Sequence, residues 1–457
     1  MARRQIRLNA FDMNCVGHIQ QGLWRHPRDR SVEYTSLDYW TGLARLLERG
    51  LFDGLFLADI LGVYDVYRGS ADPAIEQAVQ VPVGDPLLLI PAMAAVTTHL
   101  GFGVTANLSY EPPFPFARRM STLDHLTRGR IGWNIVTGYL DSAARAMGLE
   151  RQRTHDDRYD VADEYMRVVY ALWEGSWAED AVLRDRAAGR FADPARVRVV
   201  HHSGPHYRVD AVHLCEPSPQ RTPVLYQAGA SDRGKRFAGA HAECVFLNGG
   251  PKATVRAQVA GVREAAAAQA RAPEDVLVFV GATVIVGETE ALAQAKLADY
   301  RRYASPEGAL VHASASMGID LDRYGMDEPF GAAPTEAIAS NLQAMARQGM
   351  TKRKLLERMV LGSRQAPIVG SPVLVADALA AWVDEAGVDG FILSRTVTPE
   401  CFEDVVELLI PELQRRGLYK ERYASGTLRE KLFGAGPRLP VTHPAAQARW
   451  HSGQCFT

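Results

Sequence analysis

Cysteine is scarce in this chain. The five residues, at positions 15, 215, 244, 401 and 455 of 457, form no CxxC pair, and their number is odd. That argues against a disulfide framework and a thiolate zinc site, and it suits a reducing cytoplasm, where we expect the protein. Net charge is scarce as well: 51 Lys plus Arg face 53 Asp plus Glu, a formal balance of −2. Such a chain projects no global field toward nucleic acid or an anionic membrane, and neither is expected as a partner. No run approaches the roughly 20 apolar residues that span a bilayer. The opening MARRQIRLNAFDMN has basic residues with no apolar segment after them, so no secretory signal is expected. A GxSxG elbow, a P-loop and an HExxH pair are also missing.

What is present is the composition of a globular enzyme, 47% hydrophobic and 23% charged. Short apolar runs alternate with amphipathic helical stretches, the pattern of a parallel sheet covered by helices. Residues 6–13 read as a first strand, 36–50 as a helix ending on a glycine, and 52–60 as a buried strand. A helix at 85–99 precedes a strand at 100–110, and 114–129 precedes a strand at 130–139. Further strands are read at 222–229, 242–249 and 278–287. The helix–Gly–Asp–Gly–strand grammar of 43–59 returns at 375–395, which favours a closed TIM-type (β/α)8 barrel over an open doubly wound sheet. This reading counts fewer than eight strands, some being short or masked by their surroundings. One barrel domain is expected over 1–425, with insertions near 176–220 and 303–370 that suit lids or binding loops. The tail from 426 to 457 lacks barrel periodicity and reads as an arm, laid on its own monomer or on a partner subunit.

Some motifs dissolve on inspection. GFGVTA (101–106) matches a dinucleotide fingerprint, but its glycines begin a strand and prolines follow, so no Rossmann site for NAD(P)H is expected. His201, His202, His206 and His213 lie in a Pro/Gly-rich stretch without metal-ligand spacing and read as surface histidines, so no metal is expected. Cys15, beside Asn14 and His18 at the end of the first strand, is either a small packed residue or a pocket residue at the barrel mouth. Two segments suit an anion. Thr154 or Asp156 can cap a helix that carries Arg158 and Tyr159 in its first turn. QAGASDRGKRFA (227–238) ends a strand in small residues and opens a helix at Ser231. Two anion seats without a Walker lysine suit a mononucleotide such as FMN better than ATP.

Five long runs carry a resemblance: NAFDMNCVGHIQQGLWRHP (9–27), LFLADILGVYDVY (55–67), ARRMSTLDHLTRGRIGWNIVTGY (117–139), HDDRYDVADEY (155–165) and CEPSPQRTPVLYQAGASDRGKRFA (215–238). Over nearly its whole length the chain resembles the bacterial-luciferase-like flavin monooxygenases. Within them it is similar to the branch of long-chain alkane, dimethyl sulfide, nitrilotriacetate and dibenzothiophene sulfone monooxygenases. The resemblance implies a (β/α) barrel with FMN against Asp59, Asn107, Gly138, Tyr139, Tyr159 and the loop Ala228, Gly229, Ala230 and Ser231. It implies a substrate pocket near Cys15, His18, Tyr64, Gln80 and His312, with Tyr139 beside them. It also implies a two-component system, in which a separate NAD(P)H-dependent flavin reductase supplies FMNH2, and a homo-oligomer.

In such a system, reduced FMN and O2 give a C4a-(hydro)peroxyflavin that passes one oxygen atom to a small organic substrate. His18 and His312 are the candidates to donate a hydrogen bond or proton, Tyr64 or Tyr139 to position substrate, and Cys15 and Gln80 to support. One departure bears on the substrate. The alkane enzymes carry a His where this chain has Tyr139, and the LDSAARAMG that follows is closer to the dimethyl sulfide enzymes, so a small organosulfur compound is favoured. The alternatives are an alkane monooxygenase, a deazaflavin-dependent reductase and a non-catalytic flavin-binding protein.

Overall fold

The computed structural model describes residues 5–229, 231–330, 349–359, 361 and 365–451. Eight parallel strands close into a barrel. They are β1 (Arg7–Met13), β2 (Gly54–Ala58), β3 (Gly101–Asn107), β4 (Ile131–Val136), β5 (Val224–Gln227), β6 (Cys244–Leu247), β7 (Leu277–Ala282) and β8 (Gly390–Ser394). Each pairs with its sequence neighbours, and β1 returns to β8 with Phe11 opposite Ser394. Closure removes the open-sheet alternative. It also corrects the strand count, because the apolar runs already contain all eight. The run 278–287, read as one strand, is two: β7 stays in the barrel, while Val284–Val286 turns away to pair with Ile368–Gly370.

Strand period two sorts the side chains into two cores. One face of β2 and β3 (Leu55, Leu57, Phe102, Val104) packs outward on the helices. The other face fills the interior with rings, Phe56 lying 4.4 Å from Phe246 and 5.7 Å from Tyr226. The glycines of the GFG motif serve this filling. A Cβ on Gly103 would stand 2.7 Å from the Phe56 ring, so β3 needs glycine there for packing. At the amino-terminal end, Leu428 and Leu432 of a short helix (Leu428–Phe433) join the interior cluster and close the barrel base. Arg429 of that helix is buried in an ion pair with Glu243.

Helix α1 (Leu37–Arg49) starts where Ser36 accepts a hydrogen bond from the Asp38 N–H. Its terminal glycine acts otherwise than the sequence suggests. Gly50 has φ −79°, and Leu51 takes the left-handed position at φ 57°. Gly50 is small because a Cβ would lie 2.5 Å from Val406. The helix expected over 85–99 is shorter, a 3-10 turn at Pro86–Leu88 followed by Ile90–Ala95. Between β4 and β5, Val182–Asp185 and Arg190–Ala192 form one antiparallel hairpin, and Val200–Ser203 and Arg208–Ala211 form another. In the later stretch, helix Pro306–Met317 and helix Lys352–Met359 are described, whereas residues 331–348 lie outside the described residues. Cys15, Cys215, Cys244 and Cys401 are free thiols, and Cys455 lies outside the described residues. Among the described residues, no helix is long and apolar enough to cross a membrane.

Candidate active site

Two helices begin at one place beside the barrel mouth, α2 (His155–Tyr170) and α3 (Asp232–His241). Thr154 occupies the N-cap position of α2, but its hydroxyl turns to Asp157 at 2.5 Å and caps no backbone N–H; Asp156 sits in the first turn. Ser231 caps α3, its Oγ accepting from the Gly234 N–H at 3.0 Å. The same Oγ lies 3.2 Å from Nε2 of His155. The Tyr159 hydroxyl is close by, since a Cβ on Gly234 would stand 2.9 Å from it and 3.0 Å from Ser231 Oγ. Gly234 is therefore what lets the first turn of α3 approach the phenol. Burial raises the Tyr159 pKa, so this hydroxyl stays protonated and able to donate. Arg233 lies over the Tyr159 ring at 5.4 Å, with its charge directed to Asp160 and Asp163. Arg158 is buried and donates to the Arg153 carbonyl. Two converging helix amino termini with Ser and Tyr hydroxyls make a seat for an anion. Ala228 and Gly229 lead into it from β5, and Ala230 lies outside the described residues.

The mouth itself holds a cavity of about 290 Å³. Asp59, one residue beyond β2, and Thr105 line it and also line an adjoining recess of about 280 Å³ that reaches Asn107, Tyr110 and Glu111. Gly138 has φ +69°, and a Cβ there would stand 2.5 Å from Asn107 Nδ2, so the turn after β4 requires glycine on both counts. Burial, with Asp85 nearby, pushes the Asp59 carboxyl up to about 7. Sequence reasoning missed two polar lining residues here, Thr105 and Asn134. Asn134 Nδ2 donates to Thr105 Oγ1 at 3.0 Å, while its Oδ1 is buried without a partner. Buried acceptors left open beside a cavity are positions for a ligand's N–H groups. Strand alternation is the only signal that points Thr105 and Asn134 inward, whereas Gln227 shares the outward face of Leu225 and Ile135, with its Nε2 3.5 Å from the Tyr159 hydroxyl. A recess of about 590 Å³ around Arg7, Asp53 and Lys420 lies at the opposite end of the barrel. We place the chemistry at the mouth because the βα loops of this architecture, and the polar groups just described, converge there.

The candidate catalytic residues form a connected wall. The Tyr64 hydroxyl donates to Gln80 Oε1 at 2.6 Å, so its oxygen accepts from the Tyr139 hydroxyl 3.1 Å away. The Tyr64 ring stacks on His312, with centroids 5.6 Å apart. His312 lines the cavity directly. His18 meets Phe11, another lining residue, edge-on at 4.6 Å. Burial lowers the His18 pKa well below the usual value, and Arg395 and His312 lower it further, so this imidazole is neutral. Gln80 also reaches the His18 loop, its backbone N–H donating to the Gly17 carbonyl at 2.9 Å. Cys15 is buried with Sγ 3.3 Å from the Gly17 carbonyl, and burial pushes its thiol up to about 12. It packs as a buried, protonated thiol.

The four histidines of 201–213 are not alike on the surface, as sequence had suggested. His213 is buried against Ser121 Oγ at 2.9 Å, and His202 pairs with the buried Glu164 at 2.9 Å.

Comparison with known proteins extends this geometry. A family model described as luciferase-like monooxygenase matches residues 19–390. The chain is 50% identical to the long-chain alkane monooxygenase of Geobacillus thermodenitrificans (strain NG80-2), over 98% of both chains. It is 47% identical to the dimethyl-sulfide monooxygenase of Hyphomicrobium sulfonivorans, over 98% of this chain and 94% of that one. Among solved structures, a riboflavin lyase with modified FMN and riboflavin superposes with a TM-score of 0.93 at 36% identity, covering 98% of this chain and all of that one.

Proposed function

This chain belongs to the luciferase-like monooxygenase family and is a flavin-dependent monooxygenase; from that premise we propose that it receives FMNH2 from a separate NAD(P)H-dependent reductase and oxygenates a small uncharged substrate, favouring an organosulfur compound such as dimethyl sulfide. The observation that carries this reading is one continuous site. A polar anion seat at Ser231 and Tyr159 adjoins an apolar cavity whose wall holds an open acceptor, Asn134 Oδ1. A flavin mononucleotide has that division of chemistry, with a phosphate at one end and a ring bearing N–H groups at the other. Asp59, Asn107, Gly138 and the Ala228–Gly229 turn border the space between.

Bound reduced FMN would supply the electrons that split O2, one oxygen atom going to substrate and the other to water. The protein's part is to hold, orient and seal. Ser231, Tyr159 and the amino terminus of α3 hold the phosphate. The Tyr139–Tyr64–Gln80 chain fixes His312 against the cavity, and the neutral His18 behind Phe11 is available to exchange a proton. Helix Pro306–Met317 roofs the cavity with Ala313 and Met317 and keeps water out.

The lining also bears on substrate. Phe11, Ile19, Phe246, Ala313, Met317 and Met359 give it an apolar face, and among the described residues that line it there is no Lys or Arg. A polyanion such as nitrilotriacetate would be desolvated there without a countercharge, which is costly. A long-chain alkane is the second reading, supported by the 50% identity to an alkane enzyme. The test supplies photoreduced FMN and O2 and screens dimethyl sulfide, alkanes of graded length and nitrilotriacetate by product mass. Oxygenated product from a thioether is expected. Turnover of nitrilotriacetate alone would overturn the substrate reading, and absence of substrate-dependent O2 uptake would overturn the reaction.

A further inference from the structure

The register of the barrel seam brings two opposite charges together at the mouth. Phe11 of β1 faces Ser394 of β8, and both line the cavity. The next residues, Asp12 and Arg395, therefore meet on the other side of the strands. They form an ion pair between Asp12 Oδ1 and Arg395 Nε, with 1% and 4% of their side chains exposed. Burying a charge pair costs free energy. Arg395 extends past its partner. Its Nη2 donates to the carbonyls of Cys15, at 3.1 Å, and Val16, at 2.7 Å. These carbonyls belong to the turn that carries His18 and Ile19 to the cavity.

From the other side, the same turn is fixed by contacts that leave no slack. Gly17 packs so closely on the Ala78 carbonyl that a Cβ would stand 2.2 Å away, and its own carbonyl accepts from the Gln80 N–H. Asp12 is itself held by the Met13 N–H at 2.8 Å and the Tyr39 hydroxyl at 3.4 Å. The guanidinium thus sits between an anchored carboxylate and the two carbonyls that define where His18 begins.

We propose that Arg395, held by Asp12, is a positioning residue for the oxygenation: it fixes the Cys15–Val16 carbonyls and so sets the His18 ring against Phe11 behind the cavity. Its charge also helps to keep His18 neutral, together with burial and His312. This role rests on the site proposed above, but the first test does not depend on it. In histidine-labelled protein without flavin, the His18 ring resonance, assigned through His18→Gln, is titrated in wild type, Arg395→Met and Arg395→Lys. Arg395→Met should raise the His18 midpoint by losing the neighbouring cation, and Arg395→Lys should leave it near wild type.

In the flavin-loaded enzyme, both variants should bind FMN within twofold of wild type. Both should release hydrogen peroxide in place of product, because one ammonium cannot hold Asp12 and both carbonyls. Unchanged His18 titration in Arg395→Met, or wild-type coupling of O2 use to product in Arg395→Lys, would make the pair structural only. If Arg395→Met does not fold, Arg395→Lys decides by its coupling. Failure of the flavin reading would appear differently, as no FMN binding in the wild type.

Discussion

At the scale of single residues, the site turns on groups whose protonation is set by burial. Asp59 is the clearest. Its carboxyl is pushed up to about 7 in the folded protein, far above its unfolded value. Between about pH 4 and 7 the folded state therefore binds a proton that the unfolded state does not, so stability falls as pH rises through that window. The penalty is complete above pH 7 and absent below pH 4. Asp59→Asn should accordingly raise the Tm of flavin-free protein at pH 8 and leave it unchanged at pH 4, by thermal melts at both values. An equal gain at both would show that charge burial is not the cause. The anion seat makes a second claim at this scale. Removing one hydroxyl, by Ser231→Ala or Tyr159→Phe, takes away a hydrogen bond to a charged group, about 1.5–3 kcal/mol, so FMN affinity should weaken roughly tenfold or more in a fluorescence titration.

At the scale of elements, two glycines that look alike in sequence do different jobs. Gly387 ends the helix Pro372–Ala386 in the left-handed region, at φ +71°, where a Cβ would meet Arg263 Nη1 only at 4.0 Å, an ordinary contact. Gly387→Ala should cost about 1 kcal/mol through backbone strain. Gly50 has ordinary φ but is pressed against Val406. Gly50→Ala should cost about 1–3 kcal/mol by overpacking, and Val406→Ala should relieve the misfit in a double-mutant cycle by urea melts. An additive cycle would contradict the packing explanation.

The same pair shows what was legible in the sequence. Helix, glycine and strand could be placed at both ends of the chain, because hydrophobic period and punctuation are local. The reason for Gly387 is local too, but that for Gly50 depends on Val406, hundreds of positions away, and the sequence does not display that. The site divides similarly. Ser231 and Tyr159 announce themselves at helix starts. Asn134 and Thr105 are polar residues inside strands, and only barrel closure turns them toward a shared cavity. His155 stood in a quoted motif, but its contact with Ser231 crosses 76 positions of chain.

At the scale of the whole molecule, the barrel separates stability from chemistry. Its base is closed by the helix Leu428–Phe433, where Arg429 is buried on Glu243 and also donates to the Thr222 and Pro223 carbonyls. Arg429→Met strands that carboxylate and should cost about 3–5 kcal/mol by denaturant unfolding, with FMN affinity of the folded protein unchanged. The mouth carries the function, and the account stands on its gripping a flavin by the phosphate. The direct measurement compares the Kd of FMN with that of riboflavin, which differs only in lacking that group, in wild type and Ser231→Ala. The account predicts that wild type prefers FMN by at least about tenfold and that the substitution shrinks the preference. Equal affinity for the two in wild type would contradict it.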